Sequence, residues 1–172
     1  LDHICDTLCN DEVHGIVHLA GQPTVWRSWK SPSEDILANS FYTVQMAELA
    51  LRLNVKRFVY TSSEAVFGDI EYPSECSPKV PVTPYGLSKY TGERYLDLLC
   101  QGRFKLNIIR PSFVLGRYMS RNPVYDFLKS AANKIEAYNC NLSSKSVFNF
   151  VHVNDVGLDI LRAIQEDTFP SE

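Results

Sequence analysis

Tyr85 and Lys89 lie four residues apart in the run Thr83-Pro84-Tyr85-Gly86-Leu87-Ser88-Lys89, and a strand-like run upstream ends in Thr61-Ser62-Ser63. A phenol, an ammonium and a hydroxyl brought together can move a proton to or from a carbinol oxygen. Oxidation of an alcohol or reduction of a ketone requires that transfer. Tyr85 would be the general acid or base and Ser63 would hold and polarise the oxygen. Lys89 adds positive charge, which favours phenolate and is expected to draw the Tyr85 pKa down from an ordinary value of about 10.

The surrounding elements must position these groups. Thr83 is a predicted N-cap and Pro84 a predicted first helical residue. The helix predicted over 85–99 has Leu87, Tyr90, Tyr95, Leu98 and Leu99 as its apolar positions. Residues at i and i+4 share one helical face, about 6 Å apart along the axis. Tyr125 and Lys129 repeat the interval after Asn122-Pro123, but no run ending in hydroxyls precedes them, so Tyr125 reads as a packing or surface residue.

Strand and helix patterns alternate along the chain. Strands are predicted over 15–20, 57–61, 106–109 and 147–153. Helices are predicted from Ser31-Pro32 to about Leu53, over 122–133 and over 155–165. Glu34 and Asp35 fall in the first turn of the earliest of these, where acidic charge suits the helix dipole. The alternation implies an α/β fold with a Rossmann-type doubly wound parallel sheet and right-handed crossovers. Ligands of such sheets sit beyond the carboxyl ends of the strands. Ala20-Gly21, Ser63 and Pro111-Ser112 all fall there, and the small residues permit close backbone approach.

Composition narrows the classes. The 172 residues are 45% hydrophobic, 22% charged and 12% aromatic, ordinary for a folded domain. A net charge of -3 argues against nucleic acid or an anionic membrane surface as partner. No apolar run reaches the roughly 18 residues that a membrane helix needs. Cys5 and Cys9 are one helical turn apart, but no second pair or nearby His completes a metal site, and Cys76, Cys100 and Cys140 are isolated. No metal is expected. The cysteines read as buried, reduced thiols of a cytoplasmic protein. His18 and His152 read as structural histidines on apolar strands.

Seven segments in order resemble the extended short-chain dehydrogenase/reductase superfamily, the NAD-dependent epimerase/dehydratase type. They are Val17-His18-Leu19-Ala20-Gly21-Gln22-Pro23; Val25, Ser28 and Pro32, which continue the pattern; Asn39 opening a helix; 56–63 through Val66-Phe67-Gly68; Pro84 to Lys89; Arg110-Pro111 through Gly116; and Phe150 to Val156. The resemblance implies NAD or NADP as cofactor, with Leu19, Ala20, Gly21, Asn39, Ser63, Tyr85, Lys89 and Ser112 lining its nicotinamide half. It implies Ser63, Tyr85 and Lys89 as the catalytic set, Lys89 also bonding the nicotinamide ribose. Ser63, Glu64, Phe113 and Phe148 are the implied substrate contacts. Two copies are expected to pair through helices 35–53 and 85–100.

The chain departs from that pattern in several places. The family's glycine-rich fingerprint, whose backbone cradles a pyrophosphate, is absent from the 172 residues. The chain begins at Leu1 within a helical pattern carried by Ile4 and Leu8. It therefore reads as a piece of a longer protein and is expected to be inactive alone, with its first complete strand left as an open edge. The expected organisation is a partial cofactor-binding domain over 1–116, a substrate-capping segment over 117–145, and a return strand and helix over 146–172. Glu64-Ala65 stands where the dehydratase branch has two acids, which disfavours elimination of water. Phe113 replaces an Asn, and Phe148 an Arg that pairs with a substrate diphosphate. Lys145 is then the nearest cation, and Arg117 and Arg121 are alternatives for pairing phosphate. An epimerase or dehydrogenase of a sugar nucleotide or related sugar is the first expectation. The same machinery acting on an apolar alcohol or ketone of sterol or phenolic type is the second. A non-catalytic binding protein is the third.

Overall fold

The computed structural model describes residues 2–8, 11–119, 123–134 and 148–165. The expectations placed on Cys9, Arg121, Cys140 and Lys145 lie outside these residues.

Three short strands form the main sheet: β1 (Gly15–His18), β2 (Arg57–Thr61) and β3 (Lys105–Ile109), all parallel in the order β1-β2-β3. The register sets Val17 beside Val59 and Val59 beside Asn107. Among the described residues β1 pairs on one side only. A second sheet, not anticipated, pairs β4 (Phe113–Leu115) with β5 (Phe150–His152) in parallel.

The helices are α1 (Asp2–Leu8), α2 (Val25–Lys30), α3 (Pro32–Ile36), α4 (Tyr42–Arg52), α5 (Pro84–Cys100), α6 (Pro123–Ala132) and α7 (Val153–Gln165). The helix expected from Ser31 to Leu53 is interrupted by a π turn over Leu37–Phe41. Asn39 therefore sits inside a widened turn rather than opening a helix. The turn leaves the Asn39 carbonyl to accept the Thr43 hydroxyl at 2.8 Å and the Tyr60 phenol at 3.4 Å.

Alternation along the strands divides the sheet between two helical layers. Ile16, Phe58, Tyr60, Leu106 and Ile108 point to one side and join Ala47, Ala50, Leu96 and Phe104 from the α4 and α5 layer in the core. Each large side chain fully buried there contributes roughly 1.5–3 kcal/mol. On the other side α7 packs so closely that a Cβ on Gly15 would lie 2.5 Å from the Ile164 Cδ1. Helices on both faces of a parallel sheet make this a doubly wound α/β arrangement.

Of the apolar positions expected on α5, Leu99 packs against the core and Tyr90 is partly buried, but the other three do not bury the helix. Leu87, Tyr95 and Leu98 are exposed, whereas Tyr85, Gly86, Ser88, Lys89, Gly92, Glu93 and Leu96 are buried. The packing of small residues selects that face. A Cβ on Gly92 would meet the Tyr60 phenol oxygen at 2.8 Å and the Asn39 carbonyl at 3.0 Å, so α5 approaches the π turn closely only at glycine. Asp35 lies in the first turn of α3 as expected, and there it is 1% exposed.

Candidate active site

The start of α5 is held from two sides. Thr83 caps it by accepting the Gly86 N–H at 3.0 Å, and Ser28 on α2 accepts the Tyr85 N–H at 3.0 Å. Two amides that a helix N-terminus leaves unpaired are thereby satisfied. Ser28 is fully buried. Its anchoring of the Tyr85 backbone across 57 residues is not readable from its place in the sequence.

Beyond the end of β2, Ser63 caps a short 3-10 turn (Glu64–Phe67) by accepting the Ala65 N–H at 3.2 Å. Its hydroxyl lies near enough to the Tyr85 phenol to draw that group's pKa down. Burial pushes the Tyr85 pKa up, the Ser63 hydrogen bond draws it down, and the Asp35 charge raises it. The expectation that Lys89 lowers Tyr85 is therefore not met in this geometry. The Lys89 ammonium donates to the Thr61 carbonyl at 2.9 Å and lies 5.0 Å over the Tyr60 ring. Burial lowers the Lys89 pKa to about 8, opposed by the charges of Asp35 and Glu93.

A cleft of about 440 Å³ opens at the carboxyl ends of the three strands. Leu19, Gly21, Ser63, Glu64, Tyr85, Lys89, Ser112 and Phe113 line it, so most of the expected site residues share one rim. Ala20 lies instead on a shallower hollow behind the same loop. Asn39 is corrected: it is fully buried and reaches no cleft surface. Its Oδ1 accepts the Gln22 N–H at 2.8 Å, and its Nδ2 donates to the Gln22 carbonyl, Asp35 and Ser88 at 3.0 to 3.1 Å. Gly21 is glycine for the same reason, since a Cβ there would lie 2.6 Å from Asn39 Oδ1.

Glu64 accepts from Asn149 Nδ2 at 3.3 Å. Phe148 stands behind Phe113, their ring centres 5.3 Å apart, and Phe150 completes an aromatic cluster 5.9 Å from Phe113. The repeated pair on α6 is a cation–π contact, with Lys129 Nζ 5.9 Å from the Tyr125 ring centre. Cys76 is exposed and Cys5 and Cys100 are half-buried, against the expectation of buried thiols. His152 is exposed and accepts the Asn154 N–H at 3.3 Å. No group of three or more His, Cys, Asp or Glu suited to a metal occurs among the described residues. No described helix is long and apolar enough to cross a membrane.

The cleft also holds unspent polar groups that sequence reasoning passed over. Thr61 Oγ1 and Ser62 Oγ are buried with no hydrogen-bond partner among the described residues. Both residues line the cleft beside Lys89. Orphaned hydroxyls and a cation on one floor fit a ligand rich in hydroxyl and amide groups, as a dinucleotide is.

The chain matches the NAD dependent epimerase/dehydratase family over residues 2–171, and it belongs to that family. It is 28% identical to an uncharacterized protein of Methanocaldococcus jannaschii over 96% of this chain and 52% of that protein. It is 42% identical to the UDP-glucose 4-epimerase of Mycolicibacterium smegmatis over 48% of this chain and 28% of that enzyme. Among solved structures it resembles MoeE5 in complex with UDP-glucose and NAD, with a TM-score of 0.82 and 25% identity, covering 94% of this chain and 55% of that one. The chain thus spans about half the length of the proteins that it matches along most of its own. The family match and the parallel α/β architecture agree with the fold class expected from the sequence.

Proposed function

We propose that the complete protein interconverts an alcohol and a ketone on a sugar nucleotide by NAD-dependent hydride transfer, as an epimerase or dehydrogenase. One observation carries this reading: Ser63, Tyr85 and Lys89 meet on one wall of the cleft. The similarity to UDP-glucose 4-epimerases supports the substrate class. NAD, when bound, would supply the hydride chemistry at the carbinol carbon. Leu19, Gly21, Thr61, Ser62, Lys89 and Ser112 would hold it.

The chain's own residues handle the proton. The Ser63 hydroxyl orients the substrate oxygen. Tyr85 takes the hydroxyl proton on oxidation and gives it back to the carbonyl oxygen on reduction. The Ser63 hydrogen bond stabilises the phenolate that takes the proton on oxidation and is left again once the proton is returned. Ala65 beside Glu64 offers no acid or base, so elimination of water is not part of this reading. By the same reading the 172-residue chain alone turns over little substrate, because it contains no glycine-rich pyrophosphate turn.

The cluster of Phe113, Phe148 and Phe150 favours a second reading, an apolar alcohol or ketone as substrate. We infer further that residues 117–145 cap the substrate, that the protein works in the cytoplasm, and that two copies pair through helices 35–53 and 85–100. Support for the pairing comes from Ile36, Leu37, Phe41, Leu87, Tyr95 and Leu98, which stand 43% to 57% exposed on those helices. Sedimentation of the chain checks it.

The test is product analysis with the complete protein, NAD and either UDP-glucose or an aromatic ketone. Turnover of UDP-glucose, reduced about 10²–10⁴-fold by Tyr85→Phe, is the expected result. An unaffected Tyr85→Phe variant would overturn the mechanism, and turnover of the ketone alone would replace the substrate class.

A further inference from the structure

Asp35 is a fully buried carboxylate whose hydrogen-bond partners are all neutral. Its Oδ1 accepts Gln22 Nε2 at 2.6 Å and Asn39 Nδ2 at 3.0 Å, and its Oδ2 accepts the Ser88 hydroxyl at 2.6 Å. Gln22 belongs to the loop that lines the cleft, and Ser88 lies on α5 between Tyr85 and Lys89. A buried charge without a cation at hydrogen-bond distance is costly to retain, and apolar or neutral groups would hold the same elements at lower cost.

Of the other charged and titratable groups around the pair, Glu64 lines the same cleft and accepts from Asn149 Nδ2 at 3.3 Å. Glu93, the second carboxylate facing Lys89, is bound by Arg110 at 2.9 and 3.0 Å, which offsets its charge locally. His18 on β1 carries no charge at neutral pH, since its pKa is lowered to about 4. Tyr60 on β2 presents a neutral ring to Lys89. Ser63 contributes a hydroxyl to Tyr85. Asp35 is left as the unbalanced charge behind both side chains.

We propose that Asp35 is a positioning residue of the site: its two oxygens tie the Gln22 loop and Asn39 to Ser88 on α5, and its negative charge sets the field at Tyr85 and Lys89. The charge favours the ammonium form of Lys89 against burial and favours the protonated form of Tyr85. The role of the pair rests on the function proposed above, whereas the coupling of Asp35 to it does not.

The Asn variant separates geometry from charge. With Asp35→Asn, the new amide can donate to Ser88 Oγ, while the Ser88 proton turns to the Tyr85 carbonyl, already 2.9 Å away. The connections survive and the charge is lost. The experiment is an NMR titration of the Lys89 side-chain nitrogen and the Tyr85 ring carbon in the labelled 172-residue chain, wild type against Asp35→Asn. Both midpoints are expected to fall by at least about half a unit in the variant, since a nearby negative charge has been removed. Unchanged midpoints in a folded Asp35→Asn variant would overturn the proposal. Ser88→Ala provides an independent arm if Asp35→Asn does not fold. It keeps the charge and cuts the tie, so amide exchange at Gln22 and Tyr85 should quicken about tenfold; unchanged exchange would remove the positioning role. Neither readout needs turnover, so failure of the proposed reaction and failure of the Asp35 coupling are told apart.

Discussion

His18 Nε2 lies 3.1 Å from Thr43 Oγ1, and Thr43 gives its own hydroxyl proton to the Asn39 carbonyl at 2.8 Å. A hydroxyl has one proton to donate, so Thr43 accepts from His18, and the imidazole is the neutral tautomer protonated at Nε2. The ring stacks on Tyr60 with centres 5.7 Å apart, on the floor below Lys89. Burial first, and the Lys89 charge second, lower its pKa to about 4. The unfolded chain therefore binds a proton that the folded chain refuses between that value and the ordinary one of about 6.5. Stability should be undiminished by this group above pH 6.5 and should fall as pH drops from about 6.5 to about 4, by up to about 3 kcal/mol. Urea unfolding of wild type and His18→Gln at pH 7 and pH 4 checks the sign. An equal loss in both proteins would contradict it.

Two glycines should answer the same substitution with opposite signs. A Cβ on Gly86 would overlap the Ala65 carbonyl oxygen, on the turn that carries Ser63. Gly86→Ala should push that turn from α5, part the Ser63 and Tyr85 hydroxyls, and cost about 1–3 kcal/mol. A Cβ on Gly157 in α7 would meet nothing within 4 Å. Gly157→Ala should stabilise the chain by about 0.5–1 kcal/mol through helix propensity alone. Thermal unfolding of the two variants beside wild type tests both.

The middle of α5 is held by an ion pair. Arg110 donates to both Glu93 oxygens, and the two side chains are 9% and 2% exposed. The guanidinium also lies 5.8 Å from the Phe67 ring centre. Arg110→Met should leave an uncompensated buried carboxylate and cost about 3–5 kcal/mol, and pairing it with Glu93→Gln should restore part of that loss. A double-mutant cycle by urea denaturation measures the coupling, and additive effects would refute it.

The meeting of Ser63, Tyr85 and Lys89 at one cleft and the doubly wound fold were legible because both rest on local or periodic features. Thr83 and Pro84 start a helix wherever they stand before such a run, and the i, i+4 interval places Tyr85 and Lys89 on one face. Strand ends bearing Gly21, Ser63 and Ser112 follow from the alternation of elements. The face of α5 that is buried was not legible. Leu87, Tyr95 and Leu98 outweigh Ser88, Lys89 and Glu93 in hydrophobicity, yet they remain outside.

The amino-acid sequence by itself determined which groups are available for proton transfer and where along the chain they are brought to one rim. Tertiary structure alone decided their electrostatics. Gly92 lets α5 sink against the π turn, which buries Asp35 and Asn39 below Ser88 and draws the Lys89 ammonium to the Thr61 carbonyl. Burial and the distance between charges depend on residues far apart in sequence, which spacing along one helix does not encode.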